Sequence, residues 1–514
     1  MKRTMKHTVF RLLIGLLLML LGVGGAAAQS SYDKFALWDS GQTTLRGANI
    51  FQRFVSPNDG ADFLGSGHIG PPYTQADFDQ LASLGANMVV LSTPGLYTIS
   101  PPYVLDTQAQ ANLDDLLTKA ENANLFAVIS FRTGPGRSDY TFYRDGAGVW
   151  YPADYLIETV WTSQAAQDAW VAMWHYTAQR YRTHHAVIGY DLMVEPNANA
   201  LLNEYDPQQF FNQYGGTLYD WNQLEPRLIA TIRQVDTDTP ILLSSNGWNG
   251  MLWQAYHYIS ADPRVVYTVH NYDPFVYSNQ DSGANITYPG TFDGNYDNVP
   301  DTINKAWLEA NYVNTVDVFR AAHNNPPMAV LELGVARFAP GAATYISDHI
   351  SVVESRGLHH ALWMYHGGWV PFRTYDNTFD FLMGSDPNQN PIGDVLNNPL
   401  LLAIQQKWAQ NTVHLSDFPL VNLTQSPRRN AVTGTPVTLT WSHISGALGY
   451  RVQVADSASF TNLIVDDDTL PPDALSTDVT LPAAGTYYWR VSARTGSATW
   501  GNWSAVDTFT LLPS

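Results

Sequence analysis

The sequence predicts a (β/α)8 barrel followed by a small all-β sandwich. Three observations carry that expectation. Short apolar runs recur eight times between residues 45 and 366, most of them rich in Val, Ile and Leu on both faces, as parallel strands covered on both sides are. Amphipathic stretches with helical spacing separate these runs. After about residue 412 the pattern changes to a period of two.

Taken in order, the expected strands are Leu45–Phe51, Asn87–Thr93, Phe126–Arg132, Val187–Glu195, Pro240–Trp248, Val265–Tyr272, Met328–Val335 and His360–His366. Thr107–Asn124 reads as a helix from Leu113, Leu116, Leu117 and Ala120, and Ser163–Arg182 from Ala166, Trp170, Met173, Trp174 and Ala178. Ile303–Ala322, Thr344–Ser355 and Leu400–Gln410 read the same way. Thr74 with Asp77, and Ser163, are the expected caps. Eight such alternations fit a closed barrel better than an open doubly wound sheet, since no Gly-rich phosphate loop follows any strand. The loops Pro135–Tyr155 and Asp273–Pro300 follow strand ends and are rich in Gly, Tyr, Asn and Asp, which suits the face where barrels carry their sites.

Val437–Trp441, Tyr450–Val454, Asp478–Leu481, Tyr487–Ala493 and Thr508–Leu511 alternate with a period of two and read as a small antiparallel sandwich. Lys2, Arg3, Lys6 and Arg11 precede the apolar run Leu12–Val23 and the small residues ending at Ala28, the pattern of a cleaved secretory signal. The expected organisation is therefore a signal at 1–28, a barrel at 29–412, a connector at 413–429 and a sandwich at 430–514. The expected location is extracellular, after bacterial export.

Composition narrows the function. The 514 residues contain no cysteine, which excludes disulfides, thiolate metal sites and cysteine catalysis. The formal charge is −19, and loss of the four cations of the signal makes it −23, which argues against nucleic acid or an anionic membrane as partner. The 16 Trp, 28 Tyr and 21 Phe, on an acidic protein, suit a neutral hydroxylated ligand as well as barrel filling. No cofactor or metal is expected. The pairs His184-His185 and His359-His360 cannot both face one ion, and Asp466-Asp-Asp468 reads as a solvated turn.

Two glutamates stand out. Glu195 ends an apolar strand and precedes Pro196, and Glu332 lies inside Met328–Val335. A carboxylate within an apolar strand is costly unless something satisfies it. In this register the two occupy strands four and seven near their carboxyl ends, where barrel chemistry resides. A carboxylate pair at one site is the equipment for acid/base and nucleophilic work.

Order and spacing along the eight strands give the barrel a specific resemblance. Leu45-Arg-Gly-Ala-Asn49 on strand one, Glu195-Pro196, His270-Asn-Tyr272 on strand six, Leu331-Glu332-Leu-Gly334 and Trp363 on strand eight resemble the retaining glycoside hydrolases of the cellulase and mannanase clan, above all family 5. The resemblance spans roughly residues 40–410. It implies that Glu195 is the acid/base and Glu332 the nucleophile of a retaining double displacement on a β-linked polysaccharide or oligosaccharide. It also implies that Asn49, His270, Tyr272 and Trp363 line the substrate site, with Tyr272 donating to Glu332, His270 contacting the acid/base or the sugar, and Trp363 stacking on a sugar. Asn246 and Trp248 on strand five are expected in the same cleft, with Trp150, Tyr151, Tyr277 and Trp369 as outer subsites.

Three departures accompany it. The family's Asn before the acid/base is Val194 here, leaving Asn197 or Asn199 as substitutes. The Arg after strand two is absent from Val89–Thr93. The His after strand three is replaced by Phe131-Arg132, so that Arg46, Arg53 or Arg132 would hold the nucleophile ionised. Val194 and Pro196 are expected to make the surroundings of Glu195 apolar and raise its pKa. A transglycosylase with the same glutamates, and a non-catalytic carbohydrate-binding protein with a degenerate barrel, are the rival readings. In the C-terminal region, Thr438–Trp441 and Gly485–Val491 resemble bacterial fibronectin type III domains, with Trp441 and Trp489 in the core and Trp500 and Trp503 as a candidate polysaccharide contact.

Overall fold

The computed structural model describes residues 32–54, 69–70, 72–149, 151–182, 184–366, 377–388, 393–418, 430–441, 447–495, 500, 503–504 and 506–513. Residues 1–28, expected to be a signal, together with Trp150, Trp369 and most of the expected connector, lie outside them. Eight strands close into one parallel barrel in chain order: β1 (Arg46–Phe51), β2 (Met88–Pro94), β3 (Phe126–Thr133), β4 (Val187–Asp191), β5 (Ile241–Leu243), β6 (Val265–His270), β7 (Met328–Leu333) and β8 (His359–Leu362). Every residue of these strands is buried, because side chains on one face fill the barrel and those on the other pack under the helices.

The outer helices are α1 (Gln75–Ser83), α2 (Thr107–Asn122), α3 (Gln164–Tyr181), α4 (Trp221–Arg233), α5 (Lys305–Tyr312), α6 (Ala342–Glu354) and α7 (Pro399–Trp408). The expected caps form. Thr74 and Asp77 make a reciprocal capping box on α1, and Ser163 accepts from the Ala166 amide at the start of α3. Between β5 and β6 a 3-10 turn, Met251–Tyr256, stands where regular alternation predicts a full helix. Ile303 belongs to a small hairpin (Gly290–Phe292 with Asp301–Ile303) instead of a helix, and α5 starts only after the Asn304 cap. Among the described residues no helix is long and apolar enough to cross a membrane.

Several strands stop short of their apolar runs. β4 ends at Asp191 and β5 at Leu243, although burial continues through Val194 and Asn246. The runs reflect burial, and burial continues past the last ladder hydrogen bond because the loops at this end fold down over the barrel mouth. Gly47 fixes the first strand pair. It stands opposite Met88 in the register, and a Cβ there would lie 1.7 Å from the Met88 carbonyl oxygen. Gly47→Ala is therefore expected to destabilise the protein by about 3 kcal/mol, measured by urea unfolding, because relief requires β1 and β2 to separate.

The C-terminal region forms a second core. A five-stranded sheet has the order β9 (Asn430–Thr433), β15 (Asp507–Leu512), β14 (Gly485–Thr495), β11 (Ala447–Ala455), β12 (Leu463–Leu470), and β10 (Val437–Thr440) pairs with β13 (Ser476–Val479). Trp441, Tyr450, Trp489 and Phe509 meet in its interior. Asp466–Asp468, expected in a turn, lie instead on the edge strand β12, where Arg451 grips Asp466 with two hydrogen bonds of 2.7 Å. Charge on an edge strand discourages pairing with another chain. It also hides the strand from any reading based on hydrophobic alternation.

Candidate active site

The two glutamates, 137 positions apart in the chain, meet at the carboxyl end of the barrel. Glu332 stands on β7 directly beside His270 on β6. Glu195 lies four residues beyond β4, at φ +51°, a left-handed conformation that side-chain-bearing residues rarely adopt. That turn carries its carboxylate over the barrel mouth. One carboxylate oxygen of each glutamate and one ring nitrogen of His270 all lie within 4.8 Å of one another. His270 Nδ1 is 2.9 Å from Glu195 Oε1 and 3.4 Å from Glu332 Oε2, and the Tyr272 hydroxyl donates to Glu332 Oε2 at 2.7 Å.

Charge around the pair is ordered by burial. The Glu332 side chain is 7% exposed and that of Glu195 17%. Burial pushes the Glu332 pKa up to about 7, while His270, the Tyr272 hydrogen bond and Arg132 pull the other way and the Glu195 charge adds to the rise. Burial alone would lower the His270 pKa, but Glu332 and the hydrogen bond to Glu195 outweigh it and hold it at about 9. Glu332 is the more enclosed of the two acids, and Glu195, expected in an apolar surround, has the His270 imidazole against its carboxylate. This trio also has the spacing of a metal site, and an ion there would have to displace the proton that the two carboxylates favour on His270.

Arg132 is the cation beside the pair. Its guanidinium lies 4.1 Å from the centre of the Phe142 ring, 4.4 Å from Phe51 and 5.4 Å from Trp363, and its Nε is 3.2 Å from Asp139. Burial works against its charge, but Asp139, Tyr143, Glu332 and Glu195 together hold its pKa above the ordinary value. Below the carboxylates a polar layer crosses the barrel. Ser130 donates to buried Asp191 at 2.5 Å, and Ser244 links Asp191 (3.2 Å) to Thr268 (3.0 Å).

Residues 56–368 match the family described as cellulase (glycosyl hydrolase family 5). The chain belongs to glycosyl hydrolase family 5. Among curated relatives, endoglucanase C of Acetivibrio thermocellus is 22% identical over 194 residues, 35% of this chain and 47% of that protein. The probable glucan 1,3-beta-glucosidase A of Aspergillus niger is 28% identical over 218 residues, 41% of this chain and 44% of the relative. The chain thus spans about half the length of the curated relatives it matches. Endoglucanase Cel5A from Thermotoga maritima shares the fold with a TM-score of 0.51 at 18% identity, over 73% of this chain and 100% of that one.

Within this family 5 barrel the other expected site residues divide. Trp363 joins the rim beside Arg132 and Phe51, and Trp248, at φ +64°, lies 6.1 Å from Phe142. Asn49 faces the frame: its amide donates to the Leu331 carbonyl at 2.7 Å, bracing β7 next to Glu332. Asn246 and Asn199 have amides that are enclosed and without a hydrogen-bond partner among the described residues. Asn197, a candidate for the missing Asn, is fully engaged, donating to Thr141 at 2.9 Å and accepting from Arg137 at 3.4 Å.

Tyr151 and Tyr277 are not outer subsites. Tyr151 packs on Tyr140 with ring centres 4.4 Å apart, and Tyr277 is fully buried with its hydroxyl on the Pro340 carbonyl. Arg46 pairs with Glu354 at 2.5 Å, at the amino end of β1, opposite the mouth, and Arg53 stacks on Phe51. Arg137 and Phe142 escape a reading of the sequence. Both lie on the loop after β3, where no periodicity marks them. The one available signal is Gly134-Pro135-Gly136, a tight turn that sends the chain straight back toward the barrel mouth.

Proposed function

We propose that the protein is a secreted glycoside hydrolase that cleaves a β-linked glucan with retention at the anomeric carbon. The observation that carries the reading is the close approach of the Glu195 and Glu332 carboxylates, within 4.8 Å oxygen to oxygen. Retaining enzymes hold their carboxyl groups about 5–5.5 Å apart, whereas inverting ones leave roughly 6.5–9.5 Å for a water molecule. Family membership and the names of the endoglucanase and glucosidase relatives support a glucan.

Glu332 attacks the anomeric carbon, expelling the aglycone oxygen as Glu195 protonates it. Water, deprotonated by Glu195, then releases the sugar from Glu332. The buried nucleophile is kept available as an anion by the Tyr272 hydroxyl, His270 and Arg132. Trp363 provides an apolar face for a sugar ring. The segment at 1–28 supports export. The C-terminal domain is read as fibronectin type III-like. A polysaccharide contact there would have to use tryptophans already stacked on cations, Trp503 against Arg490 (4.3 Å) and Trp500 against Arg494 (5.3 Å).

The test is hydrolysis of cello-oligosaccharides followed by NMR of the newly formed anomer. β-Product appearing first supports the reading, and α-product first excludes retention. Sugar transfer to added cellobiose in preference to water would mark a transglycosylase. Binding without turnover across a β-glucan panel would mark a binding protein.

A further inference from the structure

We infer that Arg137 is a positioning residue that fixes the acid/base Glu195 by gripping its main chain, a role that rests on the hydrolase reading of the same site. One terminal nitrogen of its guanidinium donates to the Val194 carbonyl at 2.6 Å. The other donates to the Glu195 carbonyl at 2.8 Å and to the Asn197 side chain at 3.4 Å. The fork thus spans the three residues that carry the turn.

The turn needs holding. Glu195 has φ +51°, and the residue before a proline is sterically restricted in addition. Such a conformation persists only where its surroundings determine it. The flanking amides are also taken: Val194 donates to Phe131 on β3, and Trp248 donates to the Pro196 carbonyl. Arg137 supplies what remains, the two carbonyls that would otherwise turn freely.

The choice of an arginine is costly if its role is packing alone. Its side chain is sealed from solvent, and its hydrogen bonds go to carbonyls and an amide, with no carboxylate directly bonded to it among the described residues. Burial and the nearby Arg132 bring its pKa down to about 9. Phe142 lies between the two arginines, 4.1 Å from Arg132 and 5.0 Å from Arg137. The end of β3 and the loop that follows it therefore serve both carboxylates, Arg132 on the strand through its charge and Arg137 on the loop through the backbone. A planar guanidinium holds its donors in a rigid fork, so two carbonyls are fixed in one geometry, whereas the donors of an ammonium rotate on a flexible stem.

The experiment compares phenyl β-cellobioside, whose leaving group needs a proton, with 2,4-dinitrophenyl β-cellobioside, whose leaving group does not. Arg137→Met is expected to lower kcat/KM on the phenyl glycoside by about 100-fold and on the dinitrophenyl glycoside by less than about fivefold, the signature of a misplaced general acid. Arg137→Lys should show the same split with a smaller loss. If Arg137→Met does not fold, Arg137→Lys and Asn197→Ala carry the test. Equal losses on both glycosides, or none on either, overturn the inference. Glu195→Gln run beside them separates the two claims. If it shows the split and the Arg137 variants do not, only the positioning role fails. If Glu195→Gln shows no split, or the wild type turns over neither glycoside, the reading beneath it fails.

Discussion

Glu332→Ala is expected to lower kcat/KM on cello-oligosaccharides by roughly 10⁴-fold or more, with a melting temperature no lower than the wild type's. The loss is large because the side chain forms a covalent bond, and no neighbour can replace it. Tyr272 donates a hydrogen bond to its carboxylate and His270 lies 3.4 Å from it as a charge partner, and neither is a nucleophile placed to take over. The fold should survive, since the substitution removes the desolvation cost of a buried acid whose pKa is raised to about 7, while His270 keeps Glu195 and Arg132 keeps Asp139 as partners. Glu195→Ala should cost less on substrates with good leaving groups, because it acts through proton transfer, worth about 10²–10⁴-fold. Added azide separates the roles. It should rescue Glu332→Ala by giving the α-glycosyl azide, entering from the face the nucleophile vacated. It should rescue Glu195→Ala by giving the β-glycosyl azide, attacking the glycosyl-enzyme where water would. The opposite pairing would exchange the two assignments, and wild-type rates in either variant would remove that residue from the chemistry.

The parts of this site that the sequence discloses are those where chemistry conflicts with its setting. Glu332 sits in an otherwise apolar strand, and Glu195 ends another, so each is conspicuous against its neighbours. The barrel is legible for the same reason, as eight runs buried on both faces leave an apolar record. What stays hidden depends on distance across the fold. Val194 and Pro196 adjoin Glu195 along the chain, yet its environment is set by His270 and the turn geometry. Arg137 lies 58 positions from the carbonyl it grips, in a loop without a period. Tyr151 and Tyr277 read as surface subsites because they are aromatic residues in loops, but long loops on a barrel have cores of their own and use tyrosines to fill them. Edge strand β12 is hidden by its acids, because an edge is where alternation can be given up.

Arg132→Met is expected to move the ascending limb of the pH dependence of kcat/KM to higher pH. The limb reports ionisation of the nucleophile in the free enzyme. Glu332 titrates near 7 because burial raises it and Arg132, among others, opposes the rise. Removing the cation removes part of the opposition, so the pKa climbs and the limb follows. On the acid side the rate tracks the ionised fraction of Glu332, which falls tenfold for every pH unit the limb moves. An assay at pH 5 should therefore lose ~10-fold or more while one at pH 8 loses much less. Tyr272→Phe should move the limb in the same direction, since it deletes a hydrogen bond that favours the carboxylate. Arg132→Met also leaves Asp139 buried without its cation, which destabilises the loop after β3. The double variant Arg132→Met/Asp139→Asn removes that fault. It should regain melting temperature and keep the displaced limb. Arg132→Lys should restore most of the limb, as the charge remains, but less of the stability, because a tetrahedral ammonium stacks poorly between Phe51 and Phe142. A limb that stays in place, or moves to lower pH, would show that Arg132 does not act on Glu332 at all.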